Sequence, residues 1–111
     1  MHNISKTHKY VYHITPAKNK DKIKKIGLTP KTMSKIGNHP ERIYFAFSAN
    51  DAEFLVDEMS QLSNIKDWTL LKIDTAAFDK PAARVFKDPM YRDGAYTLSN
   101  IHPMYISTNI L

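Results

Sequence analysis

Two apolar runs about thirty residues apart carry the clearest pattern in the chain. In the first, Tyr10, Tyr12 and Ile14 alternate with Val11 and His13, which predicts a strand over 9–15; in the second, Arg42-Ile43-Tyr44-Phe45-Ala46-Phe47 predicts another. Between them Asn19 is placed to cap a short helix, Ile23 and Ile26 face inward at three-residue spacing, and Gly27 ends the helix in a left-handed position. Residues 1–8 read as a polar lead-in, and 29–41, with two prolines, a glycine and little periodicity, as a loop. Ser48-Ala49-Asn50-Asp51 has the form of a capped helix start. Ala52, Leu55, Met59 and Leu62 then share one face, so a helix is expected over 50–62. Trp68-Thr69-Leu70-Leu71-Lys72-Ile73-Asp74 is apolar at nearly every position, as an interior strand would be. A connection over 75–83 leads to short strands expected at 84–86, 95–98 and 105–107, punctuated by Asp88-Pro89, Asp93-Gly94 and His102-Pro103. The order predicts an α+β fold: a small split antiparallel β-sheet core with two flanking helices.

Composition bounds this picture without changing it. A chain of 111 residues, 42% hydrophobic and 24% charged, is expected to form a single domain over 1–111 with one core. No apolar run approaches the ~20 residues that span a bilayer, and the N-terminus lacks a signal-peptide core, so a cytoplasmic protein with no membrane association is expected. Cysteine is absent, which removes disulfides, thiolate ligands and thiol nucleophiles. His2, His8, His39 and His102 lack ligand spacing, so no metal site is expected.

Charge adds more. The net charge of +5 is unevenly spread: residues 1–42 carry ten Lys and Arg against two acids, and residues 43–111 carry six against nine. The basic half, centred on Lys18, Lys20, Lys22, Lys24 and Lys25, is either a solvated helix face or an attractor for phosphate groups and nucleic acid.

The order of a strand with His13-Ile14-Thr15, a helix, Gly27-Leu28, and a strand with Tyr44 resembles the ADP-ribosyltransferase superfamily. The similarity extends to Ser48 opening the second helix, to Leu70-Leu71-Lys72-Ile73-Asp74, and to an ending with Ile101-His102-Pro103-Met104-Tyr105-Ile106, covering roughly residues 10–107. It implies a cleft for NAD between two small sheets. In that cleft His13 would meet a ribose hydroxyl, the backbone at Ile14 would hold the nicotinamide carboxamide, and Tyr44 would stack on its ring. Thr15 would support the turn or a second hydroxyl, and Ser48, Arg84 and Tyr96 would complete the lining. Those roles suit the side chains, since a neutral imidazole offers one donor and one acceptor and an aromatic face suits a flat cation.

The chain departs from the superfamily in one place. Members of the His-Tyr-Glu type carry a glutamate on a late strand, whereas here the matching stretch is Gly94-Ala95-Tyr96-Thr97-Leu98 and no glutamate follows Glu58. Asp93 is the candidate substitute acid, with Asp88 beside it. Two outcomes are open within the resemblance. One is transfer of ADP-ribose from NAD to a protein or nucleic-acid acceptor, by way of Asp93 or of arginines such as Arg42, Arg84 and Arg92, as in the RNA 2′-phosphotransferase type. The other is a binding protein without catalysis that engages nucleic acid or inhibits a partner protein. Each residue also has a plain structural alternative: His13 at a strand end, Tyr44 as a core aromatic, Ser48 as a helix cap.

Overall fold

The computed structural model describes residues 4–30, 42–80, 83–88 and 94–108. Six strands form one antiparallel sheet: β1 (Tyr10–Pro16), β2 (Ile43–Ala46), β3 (Trp68–Asp74), β4 (Val85–Lys87), β5 (Gly94–Thr97) and β6 (Ile106–Ser107), in the order β4-β5-β2-β1-β3-β6. Among the described residues three α-helices accompany it: α1 (Ile4–Thr7), α2 (Lys20–Ile26) and α3 (Ala49–Leu62). The α+β architecture expected from the pattern is therefore present, with a third, short helix in addition. No helix among the described residues is long and apolar enough to cross a membrane.

Alternation along the strands sorts side chains onto two faces. Val11, Ile43, Phe45, Leu71, Ile73, Val85 and Ala95 point to one, where Ile23 of α2, Leu28, Phe78 and Ile101 close the main core over them. On the other face Ala46 and Leu70, with Tyr12 and Ile14, receive Ala52 and Leu55 of α3. Each buried aliphatic side chain here contributes about 1.5–3 kcal/mol through loss of contact with water.

The sheet is divided along its middle. β1 pairs with β3 over its whole length, from Tyr10↔Asp74 to Pro16↔Trp68, yet it meets β2 through the single registered pair Tyr12↔Ala46. β2 in turn pairs fully with β5. The halves β4-β5-β2 and β1-β3-β6 thus join near Tyr12 and part beyond it.

Details depart from the pattern for local reasons. Part of the polar lead-in is helical, because Ile4 is buried in the main core while Ser5 Oγ donates to Asp79 Oδ1 at 2.6 Å. Ile23 faces inward as expected, but Ile26 in the last turn of α2 is 55% exposed. Ala52 is buried and Leu55 half-buried on α3, whereas Leu62 at its end is 79% exposed, past the reach of the sheet. The loop expected over 29–41 lies almost wholly outside the described residues.

Candidate functional site

The gap between the two halves is where His13 sits. After Tyr12↔Ala46 the β1–β2 ladder lapses, and the Nδ1–H of His13 donates to the Tyr44 carbonyl at 2.5 Å, supplying from a side chain the bond that a strand would have made. This bond fixes the tautomer: Nδ1 carries the proton and Nε2 is left as an acceptor. Removal from water pushes the imidazole pKa below its ordinary value, and the bond to the Tyr44 carbonyl draws it only part of the way back. A neutral ring at physiological pH follows.

Thr15 is buried, and its Oγ1 accepts from Asn19 Nδ2 at 3.3 Å. That contact ties the end of β1 to the start of α2; Asn19 itself has helical backbone (φ −89°, ψ −5°), not the extended conformation of a capping residue, and makes no side-chain cap bond. Ile14, paired with Leu70, packs on the α3 side. Behind the gap, Gly27 ends α2 at φ +81° with its amide on the Ile23 carbonyl. A Cβ at Gly27 would stand 2.0 Å from the Ile101 carbonyl oxygen. The close approach lets Leu28 and Ile101 exchange two backbone bonds of 2.9 Å each.

Tyr44 is brought to His13 by its backbone and not by its ring. Alternation puts the His13 side chain on the face of Val11 and Leu71, while Tyr44, flanked by the inward Ile43 and Phe45, projects to the opposite face. There it is directly opposite Tyr96, which is opposite Phe86, so three aromatics form a row across β2, β5 and β4. Tyr44 and Tyr96 centroids are 5.9 Å apart, and Phe86 stacks on Tyr96 at 5.3 Å and 20°. The Arg42 guanidinium lies 4.0 Å over the Tyr96 ring with Nη1 3.4 Å from the Tyr44 hydroxyl, and Arg84 lies 5.4 Å over Phe86. Arg42 Nε is buried and has no hydrogen-bond partner among the described residues.

The other expected site residues fall as follows. Ser48 Oγ accepts from the Asp51 amide at 3.1 Å and donates to Asp51 Oδ2 at 2.8 Å, so it caps α3 with both its functions engaged. Arg84 and Tyr96 belong to the aromatic row. Asp93 and Arg92 lie outside the described residues, and Asp88 bonds through its amide to the Gly94 carbonyl. Among the described residues no group of three His, Asp or Glu side chains is placed to hold a metal ion. Phe86 was not singled out by the sequence pattern: its place in the row depends on pairing between strands that are distant in sequence, and only the run Arg84-Val85-Phe86 hints at it.

No model of a known protein family matches the chain, and no curated protein matches it.

Proposed function

We propose that the chain is an ADP-ribosyltransferase-like protein that binds NAD or a related nucleotide at the gap between the two halves of its sheet. The observation that carries this reading is His13: a neutral imidazole held at the parting of β1 and β2, its Nδ1–H fastened to the Tyr44 carbonyl, which leaves Nε2 as the acceptor nitrogen for a hydroxyl. A ribose edge presents such a hydroxyl. The backbone beyond His13 has left the ladder with β2, which makes the Ile14 region available to an amide such as nicotinamide carboxamide. Thr15 acts here as the brace of the turn. Tyr44 takes part through its carbonyl alone, because its ring and Arg42 lie on the opposite face of the sheet from the His13 ring.

If transfer occurs, nicotinamide leaves from the ribose as an oxocarbenium-like centre forms, and an acceptor from protein or nucleic acid takes the ADP-ribose. The residues of β5, Gly94, Ala95, Tyr96 and Thr97, offer no carboxylate for that step. This favours, as a second reading, a binding protein that keeps the cleft without fast chemistry, because even ~1 Å of misplacement of a substitute acid costs roughly 10²-fold in rate.

Isothermal titration with NAD tests the reading. The parent chain is expected to bind at up to millimolar NAD, and His13→Ala to lose roughly two- to tenfold in affinity, a hydrogen bond being worth roughly 0.5–1.5 kcal/mol. Absence of binding to the parent, or equal binding by a folded His13→Ala variant, overturns it. Labelled NAD then separates transfer from binding.

A further inference from the structure

The helices α2 and α3 lie on opposite faces of the sheet and carry opposite charge. α2 reaches the main core through Ile23, on the face of Val11 and Leu71, whereas α3 packs through Ala52 and Leu55 on the face of Ala46 and Leu70. Four lysines and a single acid, Asp21, lie in α2; α3 holds four acids, Asp51, Glu53, Asp57 and Glu58, and no basic residue. Each helix also presents apolar side chains to solvent beside its charges. On α3, Phe54 is 57% exposed, and helical spacing places it with the exposed Asp57, Glu58 and Leu62 on one outer face. On the other side of the sheet, the exposed Ile26 stands one turn from Lys22 and next to Lys25. There α2 lies against the turn Pro103–Tyr105, whose Met104 is 73% exposed.

We infer that the outer face of α3 docks on the α2 face of a second copy of this chain. In that contact Phe54 and Leu62 meet Ile26 and Met104, while Asp57 and Glu58 meet Lys22 and Lys25. Complementarity chooses the occupant: each face joins two exposed apolar side chains to charges of one sign, and the sign is opposite on the other face. Within one chain the sheet stands between the two helices, so only a second copy can bring them together. Asp51 is closed on Ser48 and takes no part. Lys66 turns back onto α3 but holds the carbonyl of Ser60, a position off the outer face, and leaves that face acidic. Apolar contact supplies the attraction, and the charges set orientation and register. Because two different faces meet, the contact is head-to-tail, and successive copies extend into a ring or a filament. Few side chains take part, which places the association among weak, small interfaces. The inference stands on the two helix faces and does not require the gap at His13 to bind NAD.

Analytical ultracentrifugation of the full chain from micromolar to millimolar concentration, at low and high salt, tests it. The parent is expected to associate as concentration rises, and less so in high salt, where the charges are screened. Phe54→Ser should weaken association roughly tenfold, about the cost of truncating an aromatic anchor. Lys22→Glu combined with Lys25→Glu makes both docking faces acidic, and Asp57→Lys combined with Glu58→Lys makes both basic. Each of these variants alone should be monomeric where the parent associates, and an equimolar mixture of the two should associate again. Both keep a net positive charge, so attraction between whole molecules does not account for the recovery. A parent that stays monomeric at millimolar concentration overturns the proposal. Association that both variants retain overturns it too, as does a mixture of the two folded variants that stays monomeric.

Discussion

His13 shows how much a single residue settles. Its hydrogen bond to the Tyr44 carbonyl makes it part of the sheet, and its depressed pKa makes the folded state sensitive to acid. The unfolded chain takes up a proton near pH 6.5 while the folded chain resists it until lower pH, so the neutral ring's contribution is intact above about 6.5 and is lost as pH falls through the folded value. Urea unfolding at pH 7.5, 6.5 and 5.5 should therefore show the parent losing more stability on acidification than His13→Gln. Gly27 is equally decisive: with positive φ and the Ile101 backbone in the place of a Cβ, Gly27→Ala should cost about 2–4 kcal/mol, combining left-handed strain with displacement of the Leu28–Ile101 contact. A thermal melt of the two proteins checks this, and an unchanged midpoint would contradict it. The sequence pattern showed that Gly27 would end a helix. That a carbonyl 74 positions further on would forbid any side chain there was not legible, because the contact is made by the fold.

At the scale of elements, legibility followed how local the causes were. α3 was readable nearly to its ends, since Ser48, Asp51 and the spacing of Ala52 and Leu55 all lie within one short window. Ser48→Ala should lower stability by about 1 kcal/mol, measured by urea unfolding, as expected for loss of a side-chain cap. β1 and β3 were likewise evident from alternation and apolar density. α1 was not, because its four residues have no periodic pattern and are held by Ile4 in the core and by Ser5 on Asp79. The Tyr44-Tyr96-Phe86 row was hidden for a related reason: each strand displayed its aromatic, but the register that aligns them is a property of pairing between segments tens of residues apart. The side-chain faces were hidden too. Tyr44 and His13 each end or occupy a strand near the first helix, and only the register showed that their side chains take opposite faces.

For the molecule as a whole, the parting of the sheet organises everything else. One registered pair joins β1 to β2, and His13, Ile14 and Thr15 follow it on β1, whereas Ser48, Arg84 and Tyr96, which the resemblance groups with them, lie elsewhere. The His13 ring and the arginine and aromatic rows lie on opposite faces of the sheet, and a 3-10 turn over Ala17–Asn19 joins β1 to the lysine-rich α2. The most direct measurement of the central claim is an amide NMR titration with NAD. Shifts concentrated at 13–16 and 42–44, with the Ile14 amide among the largest and all of them lost in His13→Ala, are the predicted result. Shifts confined to Lys18–Lys25, or none at millimolar NAD, would contradict the account.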